Sequence, residues 1–249
     1  MRNLKPRPEL DSQTRVSLSL AANAIRQLDD IESKKKTAKE AYDSARTSKW
    51  FEPVIENLRK NCDGIERCMY CSLSAPVQVE HYRPLSVFPD LAFVYENYLW
   101  SCGECNQKKA NRFPPDTQVG AQILNPIDDN IWDHFELHPE LGHLLKRQSP
   151  ETEEDFPRAV STCEIVGIDR VLVQDSRRKW FKRMKRTLVK AIGDLQADRT
   201  TVLELREEIS ELRNDPFQAD VADYFLNGPG RVYEPFKSAL SAIGEEISK

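Results

Sequence analysis

The sequence predicts a mainly α-helical chain built around one small α+β core, and three observations predict it. Apolar residues recur at three- and four-residue steps from roughly 13 to 46, and residues from Asp169 to about Asn214 are again helical in character. Between 62 and 116 that period disappears. Cysteines, prolines and aromatics crowd there around short apolar runs, Val77-Gln-Val79, Ala92-Phe-Val-Tyr95 and Tyr98-Leu-Trp100, which suit short strands and loops. Third, 31% of the 249 residues are charged against 39% hydrophobic. That leaves less core than one globule of this length would use, so some helices should keep a second face wet or docked on a partner.

Residues 1–61 are expected to form an N-terminal helical arm. Its first dozen residues, proline-rich, run extended. Leu18, Leu20, Ala21, Ile25, Leu28 and Ile31 then mark an apolar helix face, interrupted at Lys34-Lys35-Lys36, a solvated stretch. A second helix fits Trp50 to Leu58, with Pro53 early enough to occupy the first turn. Residues 62–116 form the core, and the run after Cys105 has no breaker before Pro114, so one or two helical turns fit. Residues 117–168, with four prolines and the acidic run Glu151 to Asp155, read as an irregular acidic connection. Residues 169–249 form a C-terminal helical region. Gly193 is a point at which it could divide into a helical hairpin, Leu203, Leu205, Ile209 and Leu212 give an amphipathic stripe, Asn227 to Gly230 a turn, and Pro235 to Ile247 a last helix.

The chemistry concentrates in the core. Cys68-Met-Tyr-Cys71 and Cys102-Gly-Glu-Cys105 are two C-x-x-C knuckles separated by thirty residues. The x-x spacing lets both sulfurs of a knuckle reach one metal from a tight turn, and four thiolates make a closed tetrahedral, structural Zn²⁺ site. In a stretch so poor in aliphatic residues, the metal should supply much of the folding free energy. Cys62 and Cys163 are left over and read as small buried hydrophobes.

Inside the zinc loop lies Val79-Glu80-His81-Tyr-Arg-Pro84, and Asn106 follows Cys105 directly. A valine strand leading into an acid–His pair, closed by Cys-x-x-Cys-Asn-x-x-Lys, resembles the zinc-containing branch of the HNH, or ββα-metal, endonucleases. The resemblance covers 68 to about 115 and implies a zinc-stapled ββα nuclease core flanked by N- and C-terminal helices. It also implies roles: His81 as general base on the attacking water, Glu80 and Asn106 as ligands of a catalytic divalent ion, Mg²⁺ or Mn²⁺, and Asn97 as a structural asparagine, sixteen residues after His81 and nine before Asn106. The chemistry agrees, since an imidazole titrates near neutrality and hard cations take oxygen ligands. Arg83, Lys108, Lys109 and Arg112 surround the motif in sequence and are expected on backbone phosphates. The pattern departs from the commoner one in having Glu for Asp, Asn as its last letter, and Ala110 where some relatives carry a further histidine. Asp128, Asp129 and His134 read as a capped turn and solvated helix, and His138 and His143 as surface residues.

A net charge of −4 gives no global case for nucleic acid, so any such case must be local. One local patch stands out: the helix from Arg170 to Lys190, with Arg177, Arg178, Lys179, Lys182, Arg183, Lys185, Arg186 and Lys190. Arg178, Lys182 and Lys185 are candidate nucleic-acid contacts, with an acidic partner protein or plain solvation as the alternatives. No run of eighteen apolar residues and no apolar leader occur, which together with the paired cysteines places the chain in the cytoplasm, off the membrane. The helical lead, the Val-Glu-His-Tyr-Arg-Pro string and the Asn-Pro after the core resemble, more diffusely, the HNH subunits paired with an ATPase in Septu-type and some retron-linked anti-phage systems. That implies a nuclease effector in a hetero-oligomer. A non-catalytic zinc module binding nucleic acid or protein is the rival, though a pure zinc staple has no need of an acid–His pair.

Overall fold

The computed structural model describes residues 1–197 except 3, 5, 63 and 115–121, together with Glu204, Glu207 and Val221. The stripe at 203–212, the turn at 227–230 and the helix at 235–247 expected from sequence lie outside the described residues.

The N-terminal arm is two helices. α1 (Ser12–Arg26) starts where Asp11 accepts the Thr14 amide at 2.8 Å, and α2 (Ile31–Ala45) where Asp30 accepts that of Ser33. The chain therefore breaks at the second aspartate cap and not at the lysines, which lie within α2. Lys34 is no solvated side chain either, since its ammonium pairs with Asp90 at 2.9 Å. The buried stripe of α1 is Thr14, Leu18, Ala22 and Ile25, a true i, i+4, i+8, i+11 row; Leu20, off that row, is 67% exposed. α3 (Glu52–Asn61) carries Pro53 in its first turn.

The core is a two-stranded antiparallel sheet, β1 (Val77–His81) with β2 (Tyr98–Cys102), followed at once by α4 (Gly103–Lys109). The register pairs Val77 with Cys102 and His81 with Tyr98, so the second knuckle and the histidine stand at opposite ends of the ladder. Period-two alternation puts Val77, Val79 and His81 on one face and Gln78 and Glu80 on the other. Every residue of β2 is buried, because α3, α4 and β1 all pack around it. α4 begins earlier than expected, so Cys105 and Asn106 both sit on it.

The segment expected to be irregular holds regular structure. A second antiparallel pair, β3 (Phe135–Leu137) and β4 (Leu144–Lys146), and a ten-residue helix, α5 (Pro157–Val166), fall within its described part. Of the prolines that suggested irregular structure, Pro157 starts α5 and Pro139 lies within the β3–β4 loop. α5 ends at Gly167 with φ +69°, a left-handed cap that keeps a β-carbon off Lys108. α6 (Val171–Gln196) runs unbroken through Gly193, because one glycine costs a long helix only about 1 kcal/mol. Its buried row Val173, Arg177, Phe181 and Met184 packs inward. Gln174 bonds both the amide and carbonyl of Leu144, and Phe181 fills the space that a side chain at Gly142 would need.

Candidate functional site

Two constellations stand at the two ends of the β1–β2 ladder. At the Val77/Cys102 end the four cysteines Cys68, Cys71, Cys102 and Cys105 are buried, with their sulfurs all within 4.8 Å of one another and Cys71 Sγ 3.9 Å from Cys102 Sγ. The first knuckle is a tight hairpin: Ser72 at φ +63° returns its amide to the Cys68 carbonyl, and Met69 is tied to Trp100 by backbone. Four sulfurs each about 2.3 Å from a central ion would stand just under 4 Å apart, so the cluster suits Zn²⁺. The Arg170 guanidinium, at the entry to α6, lies 3.4 Å from Cys105 Sγ and 2.7 Å from the Glu104 carboxylate. With Zn²⁺ held by four thiolates, that cation would answer the excess negative charge. Cys62 and Cys163 are buried away from the cluster.

At the other end, a cleft of about 570 Å³ runs along β1 between α2 and the end of α4, and Glu80, His81 and Asn106 all line it. His81 is buried. Its Nε2 lies 2.9 Å from the Ala92 carbonyl, and its ring sits edge-on to Tyr42 at 4.5 Å and Tyr98 at 5.2 Å. A carbonyl partner makes Nε2–H the donor and leaves Nδ1 with the lone pair, an assignment drawn from the hydrogen-bond network. Burial pulls the His81 pKa down to about 4, against the raising effect of the Ala92 hydrogen bond, and so the ring is neutral at pH 7.

Glu80 points to the opposite face, toward α4. Its Oε1 lies 2.6 Å from the Lys109 ammonium, and its Oε2 accepts from the Tyr70 hydroxyl at 3.0 Å. Lys109 donates again to the His81 carbonyl at 2.9 Å. Burial pushes the Glu80 carboxyl pKa upward while Lys109 and Tyr70 oppose it; with an ammonium at 2.6 Å the ionised pair is the form the geometry supports.

Asn97 ties the loop after His81 to the loop before β2. Its Oδ1 accepts the Arg83 amide at 2.8 Å, and its Nδ2 donates to the carbonyls of Arg83 and Leu91.

The expected phosphate contacts fare differently. Lys109 is fully buried in the pair with Glu80 and cannot meet a phosphate there. The Arg112 guanidinium turns to the Lys108 carbonyl near the end of α4 and to the Ile165 carbonyl at the open end of α5, where a cation satisfies the unpaired carbonyls. Arg83 stacks over Phe88 and Phe113 and lines a separate cavity with Asn97 and Asp129, away from the His81 cleft. Lys108 lies beside Gly167. On α6, Arg177 is buried with its guanidinium on the Ile168 carbonyl, and Arg178 pairs with Asp175 at 2.9 Å. Lys182 is exposed, and the Lys185 ammonium lies over Phe181. Asp129 holds Arg158 through both carboxylate oxygens and Asp128 accepts from Asn125, so these acids are structural partners and not part of the cleft.

The cations that do line the cleft come from α2: Lys39 and Arg46, which share Asp43, with Tyr42 between them donating to the Val79 carbonyl at 3.3 Å. Sequence reading missed them, although residues 39, 42, 43 and 46 at three- and four-residue steps share one helix face.

With Lys109 in place, Glu80 offers no free carboxylate oxygen to a divalent ion shared with Asn106. Both Glu80 oxygens are engaged, the carboxylate is 4% exposed, and an ammonium already neutralises it. Among the described residues, the four cysteines are the one group of three or more His, Cys, Asp or Glu side chains placed to hold an ion.

No family model matches the chain. It is similar to two curated proteins: a protein of retron Vc95 from Vibrio cholerae, named as a candidate HNH endonuclease, at 28% identity over 132 residues, and the Septu protein PtuB of Bacillus thuringiensis, at 28% over 95 residues. The matches cover 48% and 36% of this chain and 60% and 35% of the relatives, so each relative is matched over less than two thirds of its length.

Proposed function

We propose that this protein is an HNH-type endonuclease that hydrolyses phosphodiester bonds of nucleic acid, DNA in the first instance, as the nuclease effector of a cytoplasmic anti-phage complex with an ATPase partner. One observation carries the reading: a neutral His81 that shares with Asn106, Lys39 and Arg46 the lining of one cleft, on a strand–strand–helix unit joined to a four-cysteine cluster. The likeness to a retron protein and to PtuB supports the setting. The ATPase follows from the sequence resemblance alone.

In this reading the phosphodiester lies along the cleft, its charge met by Lys39 and Arg46. His81 Nδ1 takes a proton from a water molecule, the water oxygen bonds to phosphorus, and the bond to the departing sugar oxygen breaks, that oxygen keeping the electron pair and taking a proton from solvent. A base of pKa about 4 is weak in the free protein, but an anionic phosphate beside it favours the imidazolium and raises its basicity where it is used. Asn97 acts by holding the loop after His81. To the Mg²⁺ or Mn²⁺ that the resemblance implies, Glu80 offers no free carboxylate while Lys109 holds it. α6 serves through Lys182, Lys185 and Arg178 as a secondary contact for nucleic acid, with Arg178 contributing only when Asp175 releases it. Among the described residues no helix is long and apolar enough to cross a membrane.

The Glu80–Lys109 pair favours one competitor, a zinc module without catalysis that binds nucleic acid or protein. Plasmid, single-stranded DNA and tRNA incubated with zinc-loaded protein, in Mg²⁺, Mn²⁺ or EDTA, separate the two. Cleavage by wild type that falls at least a hundredfold in His81→Ala, with zinc content unchanged, supports the nuclease. Binding without cleavage under every condition rejects it.

A further inference from the structure

The buried lysine beside Glu80 bears on how the site can be charged. Lys109 ends α4 on the face that carries Asn106 three residues earlier, and its ammonium sits between the Glu80 carboxylate at 2.6 Å and the His81 carbonyl at 2.9 Å. Lys109 is 0% and Glu80 4% exposed, so the contact is dry. We infer that the Lys109 ammonium is the resident cation of this site, and that a divalent ion reaches Glu80 only by displacing it. The identity of the ion's user rests on the nuclease reading; the exchange itself does not.

Three physical points lead there. An ammonium and a divalent ion seek the same carboxylate oxygens, and in a poorly hydrated site two cations a few ångströms apart repel strongly. Glu80 therefore satisfies one of them at a time. Lysine is also suited to leave: its charge is carried on four flexible methylenes, and Ala110 and Asn111, directly after it, are exposed. Lastly, the inward position is held under strain. Ala110 terminates α4 at φ +44°, ψ −125°, a region that glycine visits and a β-carbon residue occupies only at a cost of order 1–3 kcal/mol.

The test is Mn²⁺ binding by the zinc-loaded full chain, read from the free-Mn²⁺ paramagnetic resonance signal, in wild type, Lys109→Met, and the double variant Lys109→Met with Glu80→Gln. Removing the resident cation should tighten Mn²⁺ binding tenfold or more, and the double variant should lose that gain. Equal or weaker binding by Lys109→Met, or a gain that survives Glu80→Gln, overturns the inference. Because an unpaired Glu80 could unfold the single variant, a second measurement uses wild type alone: acetylation of Lys109 by an amine-reactive reagent, quantified by mass spectrometry. Labelling should rise at least fivefold with saturating Mn²⁺, and Lys109 still protected in the Mn²⁺-bound protein overturns the inference as well. The nuclease reading fails separately, when wild type and Lys109→Met both bind Mn²⁺ and neither cuts.

Discussion

Cys102 and His81 stand at opposite ends of one five-residue ladder, yet the two ends are built on different principles. At the cysteine end, two tetrapeptides bring all four sulfurs, the first a tight turn and the second the step from β2 into α4. At the histidine end the working groups come from five places: Tyr42, Lys39 and Arg46 from α2, the Ala92 carbonyl from the loop between the strands, Glu80 and His81 from β1, Tyr70 from the first knuckle, and Asn106 and Lys109 from α4. The comparison teaches that a metal cluster can be encoded by spacing alone, whereas the protonation and charge of a cleft are set by what the rest of the fold packs against it.

The largest effect should come from breaking the cysteine end. Cys68→Ser or Cys102→Ser should abolish the cooperative unfolding transition of the core, since a structural zinc contributes on the order of 10 kcal/mol of folding free energy. Wild type should carry about one zinc per chain by metal analysis, and strong chelators should reproduce the loss. A core that melts normally without zinc would put both ends on the same footing.

Breaking the loop behind the histidine should come next. Asn97→Ala strands the Arg83 amide and carbonyl and takes one of two donors from the Leu91 carbonyl, which keeps the Val94 amide, and should destabilise the fold by about 2–3 kcal/mol in a denaturant titration while leaving zinc content unchanged.

The acidity of the cleft gives a third test. A His81 pKa of about 4 against an ordinary 6.5 means that the unfolded chain binds the extra proton first as pH falls. Stability from this group is therefore full above about pH 6.5 and is lost progressively down to about pH 4, by up to about 3 kcal/mol. His81→Gln should flatten that part of the variant's own stability curve, so that the wild-type-minus-variant difference falls by up to about 3 kcal/mol between pH 6.5 and pH 4. A difference that grows toward low pH in the opposite sense would mean that His81 is buried charged.

The smallest effect sharpens the picture at the end of α4. Ala110→Gly removes the β-carbon from a left-handed position and should raise stability by up to about 1 kcal/mol, because the relief exceeds the added chain entropy of glycine. If it also speeds the Mn²⁺-dependent labelling of Lys109, the strain and the buried lysine belong to one device.

Much of the core was legible because its signals are local. The knuckles, the strand into Glu80 and His81, the first-turn proline of α3 and the amphipathic face of α1 all follow from residues a few positions apart, and local geometry fixes them. The stripe of α1 was misjudged by one position at Leu20, and the helix break was put at the lysines and not at Asp30, because a lysine run is conspicuous whereas a cap is a single side-chain bond. Residues 117–168 read as irregular because prolines at element boundaries and prolines within loops leave the same mark in sequence.

What only the tertiary structure decided was the state of the charged groups. Glu80 and Lys109 lie 29 positions apart, and nothing in their neighbours tells that the one neutralises the other in the dry face of α4. Arg83, Arg112 and Arg177 likewise counted as free cations until the fold turned them to aromatic faces and to the carbonyls at the ends of helices. The sequence by itself determined which ligands could gather and where the strand and helix around them begin, since those depend on spacing along the chain. Which charges face the cleft depends on desolvation and on partners brought together across the chain, and that is settled only when the elements pack.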